Sequence, residues 1–558
     1  MLYSKFNPFV IGIGLLTVPV FSLLISALLF VCGHSINPFI FPLSVVLSLL
    51  LLYFMLRKNH TEFIVSAGYH LFIIAFSIIA SLFFYDYSCD GLAYHQETIF
   101  YLKNGWNPIY ESLPSSAMFP LWIEHYAKGM ETISATLYST TGNIEAGKAV
   151  NFILLFASAF LFFHFLKRSY KISLKKNILL TFLFMLCPVV VVQIFTFYID
   201  FAAYSLLLIL ISSLICFLKG HSKYDIYIIC LVVFLSGAIK FNLFFWVLFT
   251  LFLYAVYAIV LKKYQLFLKM IVACAISALF SVFVAGFNPY VTNTIDHKNP
   301  FYPLAGAGKV DIITRITNTH LVQQSGFEKV MISLLSLPNN SKDEEIKFAF
   351  PHFLKKTHFE KCASPDARIG GFGILFSWIL VLSIVLYIVV AFRKDNMEEN
   401  KNRKSYTIFL CVLFASLFIL PHAWWARYFP FFYAFPLIIL LYSECKQQNK
   451  IVRIFRNLIY LLCLINLAFF CGAVSMRAYL YTKKVDKSIE TMAKSKDPVL
   501  INFKDNIGLK IKLDKKNIPY KTTQEPLGTK LLIVGTTYGF FDSTKYVVEN
   551  NVLIEKKP

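Results

Sequence analysis

Residues 86–111, with the sequence DYSCDGLAYHQETIFYLKNGWNPIYE, mark the point where the chain first leaves a long apolar region. Almost every residue from 9 to 85 is apolar, whereas this segment brings in two aspartates, Asp86 and Asp90. A carboxylate at such a boundary loses part of its hydration, so it is rarely found there without a partner or a function. The segment therefore predicts a membrane boundary and, next to it, a candidate functional site.

The composition of the whole chain is that of a polytopic membrane protein. Of its 558 residues, 57% are hydrophobic and only 15% are charged. The net charge of +22 comes from Lys and Arg in short runs between apolar segments. A nucleic-acid-binding face would instead interleave basic and aromatic residues. The sequence therefore predicts no nucleic-acid partner, and the charge indicates membrane topology and contact with anionic lipids.

Apolar runs long enough to cross a bilayer predict an all-α membrane protein with about 13 transmembrane helices. They lie at 9–32, 38–56, 63–85, 147–166, 177–195, 200–218, 225–240, 242–261, 270–287, 371–392, 405–421, 429–443 and 457–475. Lys and Arg concentrate in alternate connections, which favours a cytoplasmic position for those connections. The outer loops 86–146 and 288–370, and the links 197–200, 239–242 and 422–428, are then extracytoplasmic.

The chain divides into two regions by composition. Residues 1–475 form the predicted transmembrane domain, and residues 476–558 form a small extracytoplasmic α/β domain. The second region has strand-like runs, PVLINF, LKIKL, KLLIVGTT and NVLIE, separated by Lys, Gly and Pro. We expect it to have a structural or acceptor-docking role.

Asp86 and Asp90 are the first candidates for catalysis. They are four residues apart and would share one face of a helix or turn, where two carboxylates can act as base and hydrogen-bond acceptor. Asp90 has a simpler explanation as the N-cap of a helix that ends at Gly105. Capping does not account for two acids at a membrane boundary. The polar side chains that follow them are candidates for substrate contact: Tyr94, His95 and Glu97.

Two isolated cations, Lys240 and Arg427, lie at the outer ends of apolar runs, at the predicted level of Asp90. The simpler interpretation is that they extend to lipid head groups, with Trp424, Trp425 and Tyr428 in the interfacial aromatic belt. The alternative is that they bind the phosphate of a lipid, for which the planar guanidinium of Arg427 is suited.

The remaining polar motifs of the outer loops give weaker signals. A second helix is predicted after Phe119, lying at the membrane surface, with Glu124 and Lys128 as an exposed pair. Asp296 and His297 could contact substrate, although Asx turns and solvation of the loop explain them better. No set of His, Cys and acidic residues has metal-ligand spacing, so no metal site is predicted, and dependence on a divalent metal stays open.

Several motifs occur in an order that resembles a known superfamily. They are DGLAYH at 90–95, TGNIEAGKAVN at 141–151, NPFYPL at 299–304, GGFG at 370–373 and ARY at 426–428. Over residues 60–440 the chain resembles bacterial members of the membrane-embedded GT-C glycosyltransferases, which include protein O-mannosyltransferases and aminoarabinose lipid A transferases. The acidic motif of that superfamily often has adjacent Asp and Glu, whereas here Asp90 is followed by Gly91.

The resemblance implies a helical bundle with surface helices in the first outer loop. It also implies a polyprenyl-phosphate-linked sugar donor and a hydroxyl acceptor on a glycan, lipid or protein. Transfer with inversion would take place on the outer face of the inner (cytoplasmic) membrane, among membrane lipids. Asp90 would be the general base, Asp86 would assist it, and Arg427 with Lys240 would neutralise the leaving phosphate. No soluble cofactor is required, because the donor already lies in the bilayer.

Two other classes of function stay open. An O-antigen polymerase or ligase would use the same compartment and a lipid-linked sugar, but would concentrate its cations in later outer loops. A polytopic transporter or lipid flippase would also place charges in the membrane. For that class we would expect internal repeats with matched interrupted helices, and the sequence shows neither.

Overall fold

A computed structural model describes residues 6–349, 356–391, 397–446, 449–494, 498–501, 503, 506–522, 546–549 and 552–555, and these are predominantly helical. The α-helices are α1 (Pro8–Val31), α2 (Ile40–Leu56), α3 (His60–Ser81), α4 (Gln96–Lys103), α5 (Pro120–His125), α6 (Gly129–Thr141), α7 (Ala149–Ser169), α8 (Leu174–Met185), α9 (Pro188–Gln193), α10 (Asp200–Gly220), α11 (Lys223–Ile239), α12 (Phe241–Val260), α13 (Tyr264–Phe280), α14 (Thr292–His297), α15 (Ile312–Ile316), α16 (Gly326–Leu335), α17 (Lys356–Cys362), α18 (Phe376–Ala391), α19 (Met397–Ser416), α20 (Ala434–Glu444), α21 (Lys450–Ala493) and α22 (Ile507–Lys515). The strands are β1 (Val499–Ile501), β2 (Tyr520–Thr522), β3 (Tyr546–Glu549) and β4 (Val552–Glu555).

Within the described residues, seven helices are long and apolar enough to cross a membrane. They are Pro8–Val31, His60–Ser81, Ile144–Ser169, Asp200–Gly220, Phe241–Val260, Phe267–Ala285 and Lys450–Glu490. Three shorter apolar helices accompany them: Ile40–Leu56, Phe376–Ala391 and Pro430–Glu444. This architecture agrees with the expectation of a helical membrane protein, and the number of crossings stays a prediction.

The break between α11 and α12 places a cation at the ends of two apolar helices. The two helices are separated by one residue, Lys240, whose backbone is extended (φ −161°, ψ 133°). Because these angles lie far from those of an α-helix, α11 ends and α12 begins at this point. The predicted runs 225–240 and 242–261 are therefore two distinct helices with Lys240 at their junction.

The C-terminal region is continuous with the membrane domain. Helix α21 runs without a break across the predicted domain boundary at 475. The four strands form one sheet in the order β2-β1-β4-β3, in which β1 is parallel to both of its neighbours and β3 is antiparallel to β4. The prediction of a strand at LKIKL is wrong. This run lies in α22, whose first turn is capped by the Asn506 side chain, which accepts a hydrogen bond from the Leu509 N–H. The run KLLIVGTT lies outside the described residues.

The first outer loop folds into three helices that pack into the protein. Helix α6 is buried from Gly129 to Tyr138, so it is not a surface helix, and the expectation of an exposed Glu124–Lys128 pair is wrong. Lys128 is only 5% exposed, and its ammonium donates to the carbonyl of Tyr126 and to the Asn288 side chain. Burial lowers the pKa of Lys128 to about 7, although Glu131 and Glu124 oppose this shift.

The lowered pKa of Lys128 predicts that the protein becomes more stable as the pH rises from about 7 towards 10.5. In this window Lys128 is protonated in the unfolded chain but not in the folded chain. Unfolding therefore takes up a proton, and the free energy of unfolding increases as the pH rises. We expect Lys128→Met to flatten the rise in melting temperature between pH 7 and pH 9, measured on purified protein in detergent. The exposed Lys342→Met is the matched control. An unchanged slope in Lys128→Met would contradict the assignment.

Candidate active site

A cavity of about 1560 Å³ lies where the predicted outer segments converge. Its walls come from the first outer loop, the links 197–200 and 239–242, the long loop 288–370, the 422–428 segment and α21. Among the residues that the structure describes, none from the Lys- and Arg-rich connections predicted to be cytoplasmic lines it. The connections that the sequence assigns to one face of the membrane thus meet around a single space.

Arg427 joins three carboxylates in the wall of this cavity. Its guanidinium Nη1 donates to Asp90 Oδ2 at 3.1 Å and lies 3.7 Å from Asp200 Oδ2, while Nε lies 2.9 Å from Asp366 Oδ1. The side chain is only 9% exposed. Burial alone would lower the pKa of Arg427, but Asp366 and the other nearby acidic groups raise it well above its usual value. The guanidinium is therefore a permanent buried charge.

Aromatic rings enclose the same guanidinium. Its central carbon lies 4.7 Å, 5.0 Å and 5.1 Å from the ring centroids of Tyr198, Trp425 and Tyr428. Cation–π attraction is stronger at such a desolvated site than at a surface. Trp425 is 1% exposed and thus packs inside the protein. This geometry does not fit the interpretation in which Arg427 extends to lipid head groups and Trp425 belongs to the interfacial aromatic belt.

Backbone pairing explains how Asp366 reaches Arg427. The N–H groups of Ala426 and Arg427 donate to the carbonyls of Arg368 and Ala367, at 3.1 Å and 3.0 Å. Asp366 also accepts a hydrogen bond from Arg368 Nε at 2.7 Å. Burial raises the pKa of Asp366, and the neighbouring Arg427 and Arg368 oppose that shift. Asp366 is therefore a carboxyl that takes up a proton more readily than an exposed one.

Lys240 joins the network through Asp200. Its ammonium forms an ion pair with Asp200, the first residue of α10, and lies 5.1 Å from the Tyr428 ring centroid. Asp200 is held in turn by Gln193 Nε2 at 3.1 Å. Because three carboxylates meet three cations, counting Arg368, the described network is close to neutral.

Asp90 contacts the cavity, whereas Asp86 is enclosed by the protein. Asp90 stands at the N-cap position of the π-helical turn Gly91–His95, but its side chain makes no capping hydrogen bond. Its carboxylate is 29% exposed and faces Arg427 instead. Asp86 is fully buried, accepts from the N–H and hydroxyl of Ser88 at 2.8 Å and 2.7 Å, and does not line the cavity. Burial raises the pKa of Asp86, against the effect of the Ser88 hydrogen bonds.

The other predicted contact residues have different positions. Tyr94 and His95 line the cavity, and His95 Nδ1 lies 2.5 Å from Glu131 Oε1. Glu97 does not line the cavity and accepts hydrogen bonds from the backbone N–H groups of Met118 and Phe119 at 2.8 Å and 3.1 Å. These hydrogen bonds indicate that Glu97 stabilises the loop that leads into α5.

Asp296 and His297 lie outside the cavity wall. Asp296 is exposed on α14, and the His297 ring stacks on Tyr302 with a centroid distance of 3.7 Å.

Three residues of the network are absent from the site predicted by sequence: Asp200, Asp366 and Arg368. Asp200 ends the FYID link and Asp366 begins DARIGG, so their signal is a single acid beside an apolar run, the same signal that marks Asp90.

The packing around Gly91 leaves no room for a side chain at this position. A methyl group at position 91 would lie 1.9 Å from Asp86 Oδ2 and 2.2 Å from Ser88 Oγ. We expect Gly91→Ala to displace these groups and to lower the free energy of unfolding by about 1–3 kcal/mol. Melting temperatures in detergent measure the effect. Gly68→Ala is the control, because nothing lies within 4 Å of the position that its methyl group would take. Equal melting temperatures for the two variants would contradict the close packing at Gly91.

Among the residues that the structure describes, no group of three or more His, Cys, Asp and Glu side chains could hold a metal ion. The acids of the cavity are instead neutralised by Arg and Lys.

Comparison of the chain with models of protein families, with curated proteins and with solved structures gives no match. The function is therefore argued from the charged network around Arg427 and the cavity that it borders.

Proposed function

We propose that the protein is an integral-membrane glycosyltransferase that moves a sugar from a polyprenyl-phosphate-linked donor to a hydroxyl acceptor. One observation carries the proposal: the partly exposed Asp90 carboxylate is held by the buried Arg427 guanidinium in the wall of a large cavity beside the membrane helices. This pairs a proton acceptor with a cation suited to phosphate. The GT-C resemblance of the sequence supports the same reaction.

Asp90 is the proposed general base. Among the three carboxylates around Arg427 its side chain is the most exposed, at 29%, compared with 20% for Asp366 and 2% for Asp200. A base must come within hydrogen-bond reach of the proton that it removes. The hydrogen bond from Arg427 fixes the orientation of the Asp90 carboxylate, so that one oxygen is held while the group still borders the cavity.

The proposed reaction is one displacement at the anomeric carbon of the donor sugar. The acceptor oxygen forms a bond to this carbon, the bond from the carbon to the phosphate oxygen breaks, and the hydroxyl proton moves to Asp90. The electron pair of the broken bond stays on the polyprenyl phosphate. Arg427 and Lys240 both line the cavity, and their positive charges would stabilise the negative charge of the leaving phosphate.

The cavity has room for both substrates. Its volume of about 1560 Å³ exceeds the roughly 300–1,000 Å³ that is typical of pockets for one small ligand. Aromatic side chains form part of its wall, namely Trp122, Tyr126, Phe241, Phe245 and Tyr428. Such surfaces pack against the apolar faces of sugars and against prenyl chains. The distribution of Lys and Arg in the loops supports an outward-facing site in the cytoplasmic membrane.

Replacing Asp90 tests the proposed base. In a deletion strain that produces the variant, we expect Asp90→Asn to lower transfer by at least about 10²-fold, the lower range for loss of a general base. Mass spectrometry of glycans, glycolipids and glycoproteins measures the sugar that the wild type restores. Asp296→Asn, on the exposed face of α14, is the control. Wild-type transfer by Asp90→Asn would refute the proposal. Substrate flux into vesicles with no covalent product would support a transporter instead.

The raised pKa of Asp366 predicts that donor binding strengthens as the pH falls. A phosphodiester donor adds a negative charge to a network that is already nearly neutral, and a protonated Asp366 compensates for that charge. We expect Asp366→Asn to bind the donor at neutral pH as tightly as the wild type does at low pH, without the pH dependence. Tryptophan fluorescence with a short-chain polyprenyl-phosphate-linked glucose measures the affinity. The same pH slope in both proteins would contradict this role.

A further inference from the structure

Helix α22 of the C-terminal region lies directly against the first outer loop. Lys512 Nζ of this helix forms an ion pair with Glu145 Oε1 at 2.8 Å. The two side chains are 10% and 2% exposed. The Lys512 ammonium also lies 4.6 Å from the centroid of the Tyr85 ring. Lys512 therefore lies beside the segment that leads to Asp90, although it follows the last predicted span by almost forty positions.

Glu145 connects Lys512 to Asp86, because it contacts both residues. Its second oxygen, Oε2, accepts a hydrogen bond from the backbone N–H of Asp86 at 3.2 Å and pairs with Lys148 Nζ at 2.7 Å. The Asp86 carboxylate in turn accepts hydrogen bonds from the N–H and the hydroxyl of Ser88. Asp90 follows Ser88 by two residues. Polar contacts therefore run from α22 through Glu145 and Asp86 to the segment that carries Asp90.

A second set of contacts holds the same segment from α21. The Tyr85 N–H donates to Thr482 Oγ1 at 2.9 Å, and the Tyr85 hydroxyl donates to Asp486 Oδ1 at 2.7 Å. Tyr87 and Leu92, which flank Asp90, belong to one apolar cluster with side chains of α21 and α22. Residues 85–92 are therefore packed into the core of the C-terminal region.

Close packing at Gly508 of α22 adds a third contact. A methyl group at this position would lie 2.3 Å from Gln96 Oε1. The Nε2 of Gln96 in turn lies 3.4 Å from Asp86 Oδ2. A side chain at position 508 would push Gln96 towards Asp86, so α22 approaches the loop closely because it has glycine there.

We propose that α22 is a clamp that fixes the Asp90 segment, with Lys512 as a positioning residue for Asp90. The C-terminal region is then part of the active site and not a separate docking domain. The clamp itself is independent of the reaction, whereas its effect on sugar transfer rests on the proposed function. Misplacement of a reacting group by about 1 Å costs up to about 10²-fold in rate.

Lys512→Met is a suitable probe because it leaves no buried charge without an ion-pair partner. Glu145 keeps its ion pair with Lys148 when Lys512 is removed, and the methionine retains most of the apolar contact with Tyr85. Lys512→Arg preserves the positive charge and is the rescue variant. Lys515→Met makes the same change at an exposed position of the same helix and is the matched control.

The test is the alkylation rate of Cys89, which lies beside Asp90 and lines the cavity. Full-length protein in detergent is treated with N-ethylmaleimide, and each cysteine is quantified by peptide mass spectrometry. Exposed Cys32 is the internal reference, and buried Cys463 reports unfolding. We expect Lys512→Met to raise the Cys89 rate several-fold relative to Cys32, and we expect Lys512→Arg and Lys515→Met to resemble the wild type.

An unchanged Cys89 rate in Lys512→Met, with Cys463 still protected, would overturn the clamp. If Lys512→Met exposes Cys463, Gly508→Ala replaces it as the probe, because it disturbs the packing of α22 against Gln96 without a change of charge, and the same two outcomes decide. Sugar transfer measured by glycan mass spectrometry is the separate readout. Faster Cys89 labelling with no transfer by the wild type would retain the clamp and refute the proposed function.

Discussion

The buried guanidinium of Arg427 is the charge on which the arrangement of the outer segments depends. A buried cation is tolerated only when carboxylates and hydrogen bonds replace its hydration. Here the three carboxylates come from distant parts of the chain, and Asp90 is 337 positions away from Arg427 in sequence. Removing one partner of a buried ion pair typically costs about 3–5 kcal/mol. The first outer loop, the start of α10 and the end of the long outer loop are thereby held at one point.

Much of the helical framework could be predicted, because the length of an apolar run and the bilayer thickness constrain each other. Lys240, Arg427 and Asp90 are predicted at one level for the same reason, since each ends an apolar run on the predicted outer side. Their partners could not be chosen from sequence. Asp200 and Asp366 differ from many boundary residues only in their three-dimensional contacts, and no local pattern specifies a contact between residues tens to hundreds of positions apart.

Local spacing also failed to separate the roles of Asp86 and Asp90. Both are acids at the same boundary, but the turn at Ser88 directs Asp86 into the protein and leaves Asp90 at the cavity. Likewise, the alternation in LKIKL is typical of a strand, yet Leu509, Ile511 and Leu513 are all buried in a helix. Helix α22 packs between two apolar clusters, and burial on more than one side removes the helical periodicity on which a prediction from sequence depends.

Two buried charge clusters flank the segment 85–90, and their combination constrains it more than either one does. Lys148 and Lys512 neutralise Glu145 at its beginning, and Arg427 binds Asp90 at its end. A short segment fixed at both ends has few accessible conformations, so the Asp90 carboxylate has little conformational entropy left to lose. Gly91 then lets the chain turn tightly past Asp86. The position of Asp90 therefore depends on Arg427, which lines the cavity, and on Glu145, Lys148 and Lys512, which do not.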